Sequence, residues 1–282
     1  ARMSSPQRDV AVPAAGVDQV WNGAPAYTGA GVIVGVIDSG IDWRHDDFDD
    51  PDGSTRILSI WDLYGTGTPP SGFAYGAEWT SAQIDAGTAG ERDFSGHGTH
   101  VSGMAAGNGR ASAGLYKGVA HQADIIFAKA FDDELGGFPS DRNIDAMNYL
   151  AARARALGRP MVVNMSLGGH MGPHDGTTAQ ERVVDDLSAQ GIVMCIAAGN
   201  AGEDFVHESG PAAGTDLILR LLDYVPNPGD ADDVVQVAIW VEGDASPSIT
   251  VSHGAVSYGP VAPGANSGDA TTAGTIIVDN AS

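Results

Sequence analysis

Gly31-Val32-Ile33-Val34-Gly35-Val36-Ile37-Asp38-Ser39-Gly40 is a continuous apolar run that ends on a carboxylate and a turn. An apolar run without polar alternation suits a strand covered on both faces, as in the parallel sheet of an α/β protein. Asp38 then stands at the carboxyl end of that strand, the edge of an open α/β sheet where ligands and chemistry gather. Capping the following turn is its alternative role. Outward from this strand the pattern alternates as a doubly wound α/β fold should. Strands are expected at Ala123 to Lys129, Met161 to Leu167 and Gly191 to Ala198, with helices over about Asp141 to Leu157 and Gln180 to Ala189. Ile144, Met147, Leu150 and Ala151 form the apolar face of the first helix, and Val183, Val184 and Leu187 that of the second.

A second stretch, Asp93-Phe94-Ser95-Gly96-His97-Gly98-Thr99-His100-Val101-Ser102-Gly103, holds a histidine among small residues. Its glycines allow a sharp turn at His97 and close packing of a helix beginning near Thr99. The positive end of a helix dipole disfavours imidazolium, so a histidine there is expected in the neutral form that a general base needs. In isolation this stretch reads as a glycine-rich turn with solvated histidines. Asp38 and a third stretch, Ala197-Ala198-Gly199-Asn200, change that reading, because each also falls where a strand ends or a helix starts. A carboxylate can orient an imidazole, the imidazole can take a hydroxyl proton, and an amide can hold an oxyanion, which together are the needs of acyl transfer.

The 282 residues are 43% hydrophobic, enough for one large core or one core and part of another. Thirty-six acidic residues stand against 14 basic ones, for a formal charge of -22. Such a surface repels nucleic acid and anionic membranes, so neither is an expected partner. No apolar stretch approaches the length of a membrane span. No secretory signal is read, and Ala1-Arg2 fits a processed or an engineered start. Cys195 is the only cysteine and lies in the apolar run from Gly191, so it is expected as a buried core residue.

Residues 41–92 form a long connection in which Arg56-Ile57-Leu58-Ser59-Ile60-Trp61 reads as a short strand. Asp42, Asp46, Asp47, Asp49, Asp50 and Asp52 are dense enough to suggest calcium, yet they lack the spacing of an EF-hand loop. A solvated acidic loop is the reading preferred, calcium stays open, and no metal ligand is assigned. A short amphipathic piece, Val17 to Trp21, is expected as a peripheral helix. From about Glu208 the helical periodicity stops and β-like segments follow at Asp216 to Leu222, Val234 to Glu242, Ser248 to Ser252 and Thr275 to Asp279. The expected division is residues 1–207, the α/β part, and residues 208–282, a β-rich inserted module that is incomplete at its C-terminus.

The motifs Val34 to Asp42, Gly96 to Gly103 and Ala197 to Asn200 resemble those of the subtilisin-like serine peptidases, over roughly residues 15–205. The resemblance implies a mostly parallel α/β sheet and the roles of Asp38, His97 and Asn200 as triad acid, triad base and oxyanion donor. It also implies a substrate cleft. Ser166, Leu167, Gly168 and Gly169 match the segment lining one side of the primary specificity pocket. Asp132, Gly136 and Gly137 match the edge that pairs with an extended peptide. The insert around Arg56 to Asp62 and the β module resemble the bacterial subset related to the clostridial Csp proteases, in which a jelly-roll-like domain precedes the nucleophile. Secretion after removal of a propeptide, peptide or protein substrates and no required cofactor are further implications.

Two departures stand out. Arg44-His45-Asp46 lacks the proline that usually follows the histidine in this family, which leaves Asp38 unaffected. More seriously, the Gly-Thr-Ser-x-Ala-x-Pro motif that carries the nucleophile is missing. Gly274-Thr275 runs on into Ile276, and Asn266-Ser267-Gly268-Asp269 reads as a turn rather than a helix start. The expectation is a serine endopeptidase whose nucleophile lies beyond residue 282 or on a second chain, this chain being inactive by itself. The alternative is a pseudoprotease or a binding or regulatory member of the same fold. A nucleotide-binding α/β protein is disfavoured, because Asp38-Ser39-Gly40 stands where a phosphate loop would follow the first strand.

Overall fold

The computed structural model describes residues 8–202, 239, 248–253, 256–262, 265–271 and 274–280. The chain divides into two compact units, Ala1–Gly169 with His174–Gly199, and His170–Pro173 with Asn200–Ser282.

In the first unit, α1 (Arg8–Ala14) and α2 (Val17–Trp21) precede the sheet, and α2 has no buried residue, as a peripheral helix should. The sheet itself begins with β1 (Ile33–Asp38), all six residues of which are buried. The connection that follows supplies β2 (Ile57–Asp62), β3 (Ala77–Thr80) and α3 (Ser81–Asp85). Next come α4 (His97–Ala106), β4 (Asp124–Lys129), α5 (Ser140–Leu157), β5 (Met161–Met165), α6 (Ala179–Ala189) and β6 (Val193–Ile196). The strands form one six-stranded sheet in the order β3-β2-β4-β1-β5-β6. Every pairing is parallel except β2 with β3.

Strand parity sorts β1 between two cores. Ile33 and Ile37 belong to the cluster built with α5 and α6, where Met147, Leu150, Ala151 and Leu187 are buried and Val183 and Val184 pack against them. Val34 and Val36 belong to the opposite cluster, against which Val101 and Ala105 of α4 pack. Asp38 follows Val34 and Val36 in that alternation, so the strand delivers its side chain to the α4 face. The short strand expected within residues 41–92 is β2, which joins the main sheet beside β4. The pair β2 and β3 adds an antiparallel edge that the turn-rich sequence did not announce.

Two expectations are corrected. Cys195 is exposed, not buried in a core. Among the described residues β6 is the edge strand of this sheet, hydrogen-bonded to β5 alone, and its Val193 and Ile196 are about half exposed. An apolar run marks a strand but not its place in the sheet, and the edge position left this one uncovered. The second correction concerns residues 266–269, which lie within a strand rather than a turn.

In the second unit, β7 (Ile249–His253) pairs antiparallel with β8 (Val256–Val261), and β9 (Ala265–Thr271) with β10 (Gly274–Asn280). The expected strands at Ser248 to Ser252 and Thr275 to Asp279 correspond to β7 and β10. Those expected at Asp216 to Leu222 and Val234 to Glu242, and the division at residue 207, lie outside the described residues, Ile239 excepted.

Candidate active site

Parallel strands end together, and the ends of β1, β4 and β5 form one edge. Asp38 is in register with Lys129, and Ile37 with Met165. Asp38 lies at that edge with no exposed surface, while His97, the first residue of α4, is about half exposed. The helix starts two residues earlier than the sequence suggests. His97 Nδ1 and Asp38 Oδ1 are 2.7 Å apart. With the carboxylate as acceptor, Nδ1 carries the proton and donates it, which leaves Nε2 as the nitrogen able to take up another.

Such closeness depends on Gly98. A β-carbon there would stand 2.2 Å from the Gly40 carbonyl oxygen and 3.0 Å from Asp38 Cβ, so only glycine lets the helix start lie on the strand end. Asp38 Oδ1 also accepts the Ser39 N–H at 2.7 Å. Oδ2 is buried and has no partner among the described residues. Burial pushes the Asp38 carboxyl above the usual carboxylate range, while its hydrogen bonds to His97 and Ser39 and the His97 charge pull it back.

The remaining sequence candidates fall at the same edge of the first unit, with one exception. Beyond β4, Asp132 forms an isolated bridge with Gly137. The Asp132 N–H donates to the Gly137 carbonyl at 2.8 Å, and the Gly136 N–H to the Asp132 carbonyl at 2.8 Å, so residues 132–137 close a turn on themselves. Asp132 Oδ1 accepts the Glu134 and Leu135 N–H groups at 2.9 and 3.0 Å, which commits the carboxylate to holding that turn. After β5, Ser166 Oγ accepts from Asn164 Nδ2 at 3.0 Å. Leu167 is buried, whereas Gly168 and Gly169 are exposed. Asn200 is exposed and belongs to the second unit. Asp38 and His97 are therefore the two chemical candidates that the fold brings into contact.

Among the described residues no group of three or more His, Cys, Asp or Glu is arranged to hold a metal ion. The carboxylates after Asp38 turn to separate local partners. Asp47 Oδ1 accepts the Ala111 N–H, Asp49 pairs with Arg110, and Asp52 Oδ1 accepts from Ser54. Two residues escaped the sequence reading. Ser39 and Asp93 both hydrogen-bond to the start of α4. An acidic residue a few positions ahead of a helix start was the available signal for Asp93.

The sequence profile of the subtilase family, peptidase S8, matches residues 29–279. The chain belongs to the subtilase family. Among curated subtilases, the serine protease AprX of Bacillus subtilis is 29% identical over 232 residues, covering 80% of this chain and 46% of that protein. Subtilisin-like protease 1 of Trichophyton rubrum is 30% identical over 212 residues, covering 72% of this chain and 34% of that protein. Among solved subtilase structures, the CspB protease of Clostridium perfringens superposes with a TM-score of 0.59 at 32% identity, covering 66% of this chain and 39% of that one. The chain thus spans less than half the length of these curated relatives. Its mostly parallel sheet flanked by helices is the subtilisin-like α/β fold, and the second unit carries further β-strands.

Proposed function

We propose that this subtilase acts as a serine endopeptidase in which Asp38 and His97 are two members of the triad and Asn200 donates to the oxyanion. The observation that carries the reading is the 2.7 Å hydrogen bond between a fully buried carboxylate and a half-exposed imidazole. The nucleophile comes from a serine outside these 282 residues, on a continuing segment or a second chain, since Gly-Thr-Ser-x-Ala-x-Pro does not occur in them. The edge of β6, unpaired among the described residues, and its exposed apolar residues favour a further segment packed there.

In this scheme His97 Nε2 takes the serine hydroxyl proton as the oxygen attacks the peptide carbonyl. Asp38 holds the ring and stabilises the imidazolium, and the Asn200 amide donates to the developing oxyanion. The proton then passes to the leaving amine, and water releases the acyl group by the same steps in reverse. Residues 166–169 and 132–137 border the bound peptide. No cofactor takes part in these steps. Any calcium would be structural, and secretion fits the family.

The test uses the complete gene product and a fluorophosphonate that labels activated serines. Labelling of a serine outside residues 1–282, lost in His97→Ala, is the expected result. Labelling or peptide hydrolysis that survives His97→Ala overturns the assignment. Absence of labelling in the intact complete protein favours the second reading, a binding or regulatory pseudoprotease, for which the missing nucleophile motif is the specific observation.

A further inference from the structure

Asp38 and His97 lie 59 residues apart in sequence, on a strand and on a helix, and one hydrogen bond joins them directly. What holds the two elements in that relation is a carboxylate outside the pair. Four hydrogen bonds converge on Asp93. Its Oδ1 accepts the Ser39 hydroxyl at 2.9 Å and the Gly96 N–H at 2.9 Å. Its Oδ2 accepts the Thr99 N–H at 2.9 Å and the Thr99 hydroxyl at 2.6 Å. The same two hydroxyls also act as acceptors. Ser39 Oγ takes the Gly98 N–H at 3.0 Å, and Thr99 Oγ1 takes the Asp42 N–H at 2.8 Å.

The network therefore grips the residue after Asp38 and both residues after His97. It also satisfies two amides of the first turn of α4 that lack partners within the helix. Glycine at position 40 lets the arrangement close, because a β-carbon there would stand 2.7 Å from Asp93 Cα and 2.8 Å from the Arg92 carbonyl oxygen. Behind it, the Arg92 carbonyl accepts from Lys129 Nζ at 2.7 Å, which fixes the segment to the end of β4.

We propose that Asp93 is a positioning residue for the Asp38–His97 pair, acting through Ser39, Gly98 and Thr99 rather than on any substrate. The carboxylate is suited to this role on two counts. It supplies four acceptor directions where a neutral amide supplies two, and its charge lies against the positive end of the α4 dipole. Its catalytic consequence rests on the proposed function. The geometric claim does not, and it is read in the complete gene product.

The readout is the His97 Nδ1–H proton, which resonates far downfield of the amides while it is hydrogen-bonded to a carboxylate. His97→Ala assigns it. In Asp93→Ala the resonance is expected to vanish or broaden at temperatures where circular dichroism still shows the native fold. Ser39→Ala is expected to weaken it, and Ser39→Ala added to Asp93→Ala to do no more than Asp93→Ala does. Thr178→Ala is the control for lost stability. It removes a capping box from α6, and so destabilises a helix without touching this network.

If Asp93→Ala does not fold, Asp93→Asn decides the matter, because it keeps an acceptor for Ser39 but loses the charge and presents an amide group to the Thr99 N–H. A wild-type resonance in whichever Asp93 variant folds overturns the proposal, as does an equal loss in Thr178→Ala. In the complete protein, the corresponding loss is in kcat, by about 10²-fold for a displacement near 1 Å, with KM nearly unchanged. A changed resonance in a protein that never hydrolyses peptides would sink the proposed function and leave the positioning role standing.

Discussion

Glu91 lies against the turn that follows Asp38, its Oε1 accepting the Ile41 N–H at 3.2 Å. The side chain has no exposed surface, and Oε2 has no partner among the described residues. Burial, helped by the nearby Asp62 and Asp93 charges and opposed by the Ile41 hydrogen bond and Lys129, pushes this carboxyl up from 4.5 to about 8. The native protein therefore keeps a proton that the unfolded chain releases above about pH 4.5. Stability should fall as pH rises from about 4.5 to 8 and then level off, by up to roughly 5 kcal/mol from this group. Glu91→Gln keeps an acceptor for Ile41 without the ionisation. It is expected to match the wild type in urea melts at pH 5 and to exceed it at pH 9.

Gly98→Ala tests the close approach of α4 to β1. The added methyl would meet the Gly40 carbonyl oxygen at 2.2 Å and the Phe127 ring at 3.0 Å, and the first of these is backbone that cannot rotate away. The helix start must lift, at a cost of about 1–3 kcal/mol. A lower Tm with loss of the downfield His97 proton is the expected outcome. A Tm within a degree of the wild type would show that the two elements do not pack as described.

Arg56 provides a third test. It is buried at the start of β2, and its guanidinium donates to four backbone carbonyls, those of Asp47, Ala106, His121 and Ala123. One side chain thereby ties the loop after Asp38 to the far end of α4 and to the entry of β4. Arg56→Met fills much of the space but takes a donor from each carbonyl, of which Asp47 keeps the Asn108 N–H, with an expected loss of about 3 kcal/mol in denaturant unfolding. Arg56→Lys, a point donor in place of a fork, should restore only part of that.

The sequence made the central strand and its carboxylate legible because apolar runs and glycine-flanked polar residues are local signals. β1, β4, β5, α5 and α6 lie where periodicity put them, and Asp38 and His97 meet as their motifs implied. What stayed hidden depended on partners far along the chain. The exposure of β6 is a matter of sheet order, which a run from Val193 to Ile196 does not encode. β3 and α3 lie in a turn-rich stretch whose structure comes from pairing with β2. Glu91 carries no local signal and Asp93 only its place ahead of a helix start, and the fold alone brings them against Ile41 and Ser39.

The open edge of β6 also bears on how the chain behaves in solution. Its outer side presents backbone groups with no strand partner among the described residues, a template onto which another chain can add a strand. The formal charge of -22 works against that, since two such chains repel before their edges can meet. Added salt shortens the reach of this repulsion, to about 3 Å at 1 M, without closing the edge. Colloidal stability and fold stability are thus separate properties of these 282 residues, and salt weakens the first by letting two chains approach a strand edge that their charge otherwise keeps out of reach.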